Sequence, residues 1–228
     1  MCGRYRLARK KEILAEVFDV GDDDDWSPRY NIAPSQSVPV VRQDANRPIR
    51  SFSLIRWGLI PLWAKDAKAG YKMINARAET IAEKPAFREP LLSRRCLIPA
   101  DGFYEWSKFS KGKSPFCFAL ADDSVFAFAG IWVRWKNPER ELVETCSIIT
   151  TSANARLSDI HDRMPVILKR EDHERWLDPG FKQADDILDL LKPYQAASMR
   201  RYRVSARVNS TRNDDQACVE EYVSETLF

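Results

Sequence analysis

The chain has 228 residues, long enough for one large domain or two small ones with a sizeable core. Its composition, 44% apolar and 30% charged, is that of an ordinary globular protein, and no apolar run approaches the roughly 18 residues of a membrane span. Net charge is only +3, and the five cysteines are scattered without a C-x-x-C pair, which argues against a disulfide framework and a zinc site; no cofactor is expected.

The N-terminus has no apolar leader and turns charged at once in Arg4, Arg6, Arg9, Lys10 and Lys11, so a cytoplasmic protein is expected. Residues 10–18 place Ile13, Leu14, Val17 and Phe18 at the spacing of an amphipathic helix, which Gly21 and the acidic run at 22–25 end. That run reads as a solvated loop. Apart from it the first hundred residues are basic, a weak pointer to nucleic acid. Arg29-Tyr30-Asn31-Ile32-Ala33-Pro34 is extended or turn-like, because Pro34 excludes its predecessor from the helical region. Residues 37–42 and 50–57 read as strands, and 57–63 as an aromatic loop interrupted by Gly58 and Pro61. Residues 83–92 suggest a short helix broken by Pro90.

From Arg95 the chain is rich in strands, at 96–98, 102–107, 116–120, 125–135 and 142–150, with turn clusters such as 110–113 between them. Cys96, Cys117 and Cys146 lie in apolar surroundings and read as small core residues. Helices are expected at 152–157, 170–177 and 184–191, the last with a stripe of Ile187, Leu188, Leu190 and Leu191. A late strand is expected over 199–208. Nothing separates two halves, so the expectation is one α+β domain spanning 1–228, with a largely antiparallel, barrel-like β core flanked by short helices.

The candidate chemistry begins at Met1-Cys2-Gly3-Arg4. With Met1 removed, Cys2 would carry an α-amine and a thiol close enough to add to one aldehyde carbon and close a thiazolidine ring. The amine titrates near ~8 and a free thiol near ~8.5, so both nucleophilic forms are accessible at neutral pH. Glu105, in Phe103-Tyr104-Glu105-Trp106, either faces solvent or is buried as a candidate acid/base. His161 lies in a polar loop ending at Pro165, by residue type more often a surface loop than a site. His173, on a charged helical face, is expected to be solvated. Asn75 is flanked by Ile74 and Ala76 and followed by Arg77 and Glu79.

Seven blocks in order carry a resemblance. They are Met1-Cys2-Gly3-Arg4-Tyr5, Arg29-Tyr30-Asn31-Ile32-Ala33-Pro34, Trp57-Gly58-Leu59-Ile60-Pro61 and Ile74-Asn75-Ala76-Arg77-Ala78-Glu79-Thr80. The series continues with Cys96-Leu97-Ile98-Pro99-Ala100-Asp101-Gly102-Phe103-Tyr104-Glu105-Trp106, Thr150-Thr151-Ser152-Ala153-Asn154 and His161-Asp162-Arg163-Met164-Pro165. Together they resemble the SOS-response-associated peptidase (SRAP) family, and residues 204–209 resemble its closing strand.

The resemblance implies a sensor of abasic sites in single-stranded DNA that forms a thiazolidine DNA–protein crosslink, with self-directed peptidase activity and room for abasic-site lyase activity. It implies Cys2 as nucleophile, Asn75 as the group positioning its amine, Glu105 as acid/base and His161 as a second proton-transfer group. Arg4, Arg77 and Arg163 match phosphate-holding positions, while Trp63 and Trp106, with Pro39 or Ile60, would offer faces to splayed bases. No membrane, a monomer, and a cytoplasmic location that becomes nucleoid-associated on DNA are expected. The competing readings are an N-terminal-nucleophile hydrolase of the glutamine amidotransferase kind, a thiol peptidase acting on other proteins, and a non-catalytic single-strand-binding module.

Overall fold

Five strands close on one another in the computed structural model, which describes residues 2–21, 26–43, 49–107 and 114–222. Met1, the acidic run at 22–25 and the turn at 110–113 lie outside the described residues. In chain order the strands are β1 (Tyr5–Leu7), β2 (Arg29–Ile32), β3 (Ser37–Gln43), β4 (Arg50–Trp57), β5 (Asn75–Arg77), β6 (Arg95–Ala100) and β7 (Gly102–Ser107). They continue as β8 (Ser114–Leu120), β9 (Phe126–Lys136), β10 (Leu142–Ser152), β11 (Arg163–Pro165), β12 (Ile167–Leu168) and β13 (Met199–Arg203). The helices are α1 (Lys11–Phe18), α2 (Pro85–Ser93) and α3 (His173–Leu177).

The barrel runs β10–β4–β3–β6–β9 and returns to β10. Its joints are antiparallel except that between β10 and β4, a short parallel pairing in which Thr145 and Cys146 face Arg56 and Trp57. Beyond that joint β10 takes β5 as a second parallel partner, then β11 antiparallel. A separate antiparallel sheet has the order β13–β8–β7–β1–β2. The two bodies meet through aromatic rings: Tyr5 meets Trp57 and Phe128 edge-on at 5.4 and 5.6 Å, and Phe103 meets Phe128 at 6.1 Å. Such offset contacts suit the ring quadrupole and supply the apolar layer that joins barrel to sheet.

Every residue of β6 is buried, since its outer face is covered by α2 and α3. Arg95, the first residue of that strand, is therefore inside the protein. Its guanidinium donates to the carbonyls of Leu91, Leu92, Trp176, Asp178 and Phe181, so the ends of both helices converge on one cation. Desolvation by that burial lowers its pKa from the ordinary arginine value.

The α+β class and the largely antiparallel, barrel-like core agree with expectation, as do the buried Cys96, Cys117 and Cys146. Several local expectations need correction. His173 is not solvated: it is 5% exposed and stacks on Phe18 with ring centroids 5.8 Å apart. Burial lowers its pKa to about 4, so it is held neutral. Pro90 sits inside α2 rather than breaking it; a proline forfeits only one hydrogen bond in so short a helix, and Pro85 starts it. Residues 152–157 are the end of β10 and a turn, not a helix, and 184–191 form two 3-10 turns. The late strand stops at Arg203, and a 3-10 turn over Ala206–Asn209 replaces the expected closing strand. Among the described residues no helix is long and apolar enough to cross a membrane.

Candidate active site

The seam between barrel and sheet gathers the chemistry. Pairing of β1 with β7 sets Tyr5 opposite Phe103, and the Tyr104 N–H donates to the Arg4 carbonyl at 2.9 Å. The run of β1 back from Tyr5 brings Cys2 close enough to Glu105 for the carboxylate charge to act on its thiol. From the barrel side, the Trp57 indole N–H and the Ile148 N–H both donate to the Ile74 carbonyl, at 2.9 and 3.1 Å, which fixes the start of β5. The preceding turn is fixed by a close approach of two glycines. Gly58 has φ +128, and a Cβ there would lie 2.8 Å from the Gly70 carbonyl oxygen, so neither position has room for a side chain.

Asn75 follows directly, and its Nδ2 donates to the Cys2 carbonyl at 2.8 Å. Its Oδ1 is buried and accepts no hydrogen bond among the described residues. Cys2 is fully buried and Glu105 is 5% exposed. Burial, and then the Glu105 charge, push the Cys2 thiol well above its ordinary value, against a smaller opposing pull from the Arg4 backbone N–H. The ready thiolate expected from a free cysteine is therefore absent. A thiol so placed needs a base to take its proton as it attacks.

His161 ends a turn closed by bonds from the Ile160 and His161 N–H groups to the Leu157 carbonyl, at 2.8 and 3.0 Å. Its Nδ1 lies 2.9 Å from the Arg163 N–H and 2.9 Å from Asp162 Oδ1. One nitrogen cannot serve both: it accepts from the N–H when bare and pairs with the carboxylate when protonated. Asp162 is 88% exposed, which weakens its claim. The imidazole lines a groove of about 580 Å³ together with Ser107, Phe116 and Arg201. Phe116 is the cross-strand partner of Glu105, so the groove opens beside the Glu105 strand.

The three arginines differ. Arg77 is exposed, and its side chain makes no hydrogen bond or ion pair among the described residues, although its charge acts on nearby Glu79. Arg163 is engaged in both arms by Glu79. Arg4 is tied to the protein itself, Nη1 donating to Asn31 Oδ1 at 2.8 Å and to the Val208 carbonyl at 2.7 Å. Its guanidinium lies 5.8 Å from the Trp106 ring, whose indole N–H donates to Asn209 Oδ1 at 2.6 Å. Trp63 is 61% exposed on the loop that Gly58 opens. Pro39 and Ile60 are buried and present no face to a base, which removes them from the expected set. Sequence reasoning also gave no role to Asn31 or Glu79. Their partners lie 27 to 182 and 84 residues away, beyond any local pattern. Among the described residues no cluster of three or more His, Cys, Asp or Glu could hold a metal ion.

A buried cysteine beside the N-terminus, gripped by an asparagine and facing a buried carboxylate, belongs to a recognised class. Residues 1–211 match SOS response associated peptidase (SRAP), and the chain belongs to that family. It is 46% identical over 226 residues to the abasic site processing protein YoqW of Bacillus subtilis, covering 97% of this chain and 100% of that one. To the abasic site processing protein HMCES of Gallus gallus it is 34% identical, over 85% of this chain and 66% of that one. A crystal structure of a protein from Bacteroides thetaiotaomicron superposes with a TM-score of 0.87 at 29% identity, covering 97% of this chain and all of that one. A second, from Bordetella bronchiseptica, gives 0.79 at 28% identity, covering 90% of this chain and all of that one.

Proposed function

We propose that this protein recognises abasic sites in single-stranded DNA and captures them covalently through Cys2. Hydrolysis of the Met1–Cys2 bond, assisted by Glu105, frees the α-amine. The amine attacks the aldehyde carbon of the ring-opened sugar and water leaves, giving an imine. The thiol sulfur then adds to the same carbon while its proton passes to nitrogen, and the thiazolidine closes. Glu105 and His161 carry the protons, Asn75 orients the amine, and no cofactor is required. Arg77, Arg163 and Arg4 hold backbone phosphates, and Trp63 and Trp106 stack on bases. The protein acts as a cytoplasmic monomer that meets the nucleoid through its DNA. Lyase activity at the lesion would follow from the same imine.

The observation that carries this reading is the grip on Cys2. Its carbonyl is held by Asn75 Nδ2, and the buried Oδ1 beside it is an acceptor awaiting a donor such as the freed amine. The matching names of its relatives agree. The test is intact mass of the protein before and after incubation with uracil-containing single-stranded DNA treated with uracil glycosylase. Wild type should lack Met1 and gain the mass of the strand less one water. Cys2→Ser should give no heat-stable adduct, and Glu105→Gln should retain Met1 and crosslink slowly while binding DNA normally. A stable adduct from Cys2→Ser would end the thiazolidine reading.

A further inference from the structure

Arg163 is not idle. Its Nη1 and Nη2 donate to Oε1 and Oε2 of Glu79 at 2.6 and 3.0 Å, and Nη2 also donates to the Thr150 carbonyl at 2.6 Å. Its Nε is buried and has no partner among the described residues. The planar fork thus offers Glu79 the same pair of parallel N–H bonds that two oxygens of a phosphodiester would take. One fork edge cannot hold both anions.

The exposures say which partner can leave. The Arg163 side chain is 13% exposed and anchored to Thr150, whereas the Glu79 side chain is 51% exposed. The hydrogen bond from Arg163 holds the Glu79 carboxyl below its ordinary range, so it stays charged at neutral pH and remains a competitor. Arg77, at the end of β5 two residues before Glu79, also acts on that carboxylate through its charge, but no hydrogen bond or ion pair joins the two side chains among the described residues.

We infer that Glu79 is a built-in competitor for the phosphate seat at Arg163: a backbone phosphate displaces its carboxylate, and that exchange weakens the hold on lesion-free strands. This rests on the reading of Arg163 as a phosphate contact. Its consequence is selectivity by persistence. Intact single strands exchange with Glu79 and depart, while a strand with an abasic site is retained by the covalent bond at Cys2.

The test is fluorescence anisotropy with a lesion-free oligonucleotide, on the wild type, Glu79→Gln, Arg163→Ala and the double variant. Glu79→Gln should tighten binding by about two- to fivefold, the range of a partly exposed ion pair. Arg163→Ala should weaken it, and in that background Glu79→Gln should have no further effect. Arg163→Lys, which keeps the charge without the fork, should leave only part of the Glu79 effect. If Glu79→Gln weakens binding while Arg163→Ala also does, Glu79 is an orienting partner and the inference is wrong. If it tightens binding equally without Arg163, the effect is general charge and the inference is again wrong. If Arg163→Ala binds like wild type, the phosphate seat itself falls, and the competitor with it.

Discussion

Two buried polar centres invite comparison, the cation of Arg95 and the seam around Cys2 and Asn75. Arg95 sits behind β6 with its N–H groups directed at five backbone carbonyls, and it has no opening to a ligand. At the seam Asn75 spends Nδ2 on the Cys2 carbonyl, and its buried Oδ1 has no donor among the described residues. Natural interiors satisfy nearly all their polar atoms, so a satisfied centre speaks of architecture and an unmet acceptor speaks of something still to arrive. The difference separates two kinds of buried polarity that burial alone would merge.

That contrast can be broken most forcefully at Arg95. Arg95→Met strands the carbonyls of Leu91, Leu92, Trp176, Asp178 and Phe181, and should cost about 3–5 kcal/mol in urea unfolding. A loss under about 1 kcal/mol would mean that other donors reach them and that Arg95 is dispensable.

His173 sharpens the comparison because it is structural yet incompletely bonded, its Nε2 lacking a partner among the described residues. Its folded pKa of about 4 lies below the ordinary value near 6.5, so the unfolded chain binds the extra proton first. Its neutral form is fully compatible with the fold above pH ~6.5, and stability falls as pH drops from there through 4, by about 3 kcal/mol in all. His173→Phe should remove this component. The unfolding free energy of the variant minus that of wild type should therefore rise as pH falls from 7 to 4, and a flat difference would return the imidazole to solvent.

The smallest effect on stability is expected at the seam. Asn75→Ala should shift unfolding by no more than about 1 kcal/mol, since one bond is lost and one unmet acceptor is removed with it. Crosslinking should nonetheless slow by about 100-fold through misplacement of the amine. A large stability loss with normal crosslinking would make Asn75 another Arg95.

The strands are readable because β-branched and aromatic runs bounded by turn clusters mark β6 to β10 within a residue or two. What covers a strand is not written in it. Arg95 looks like any charged residue at a strand edge, and only the approach of α2 and α3 makes it a hub. His173 misleads for the same reason: its neighbours Asp172 and Glu174 are charged, but Phe18 comes from far along the chain. The barrel's closing joint involves only two residue pairs in parallel, which no hairpin signal announces. At the candidate site, residue type alone leaves Glu105 and His161 open, and the resemblance of the ordered blocks is what points to Cys2, Asn75, Glu105 and His161. The elevated thiol of Cys2 and the engagement of Arg163 by Glu79 depend on burial and on distant partners, and so emerge only in three dimensions.

The tie between the first strands and the distal segment sets an order of events during synthesis. Asn31 donates to the carbonyls of Val208, Ser210 and Asn213, Arg4 reaches Val208, and Asp214 accepts from the N–H groups of Tyr30 and Asn31. The Arg4–Val208 bond spans 204 residues. At the usual pace of about 5–20 residues per second, that partner leaves the ribosome roughly ten to forty seconds after Arg4 does. Contacts so distant in sequence form slowly even once both ends exist. The strand that leads from Cys2 is thus among the first parts made and the last to be fully braced, so a nascent chain carries Cys2 before the clamp that steadies its strand.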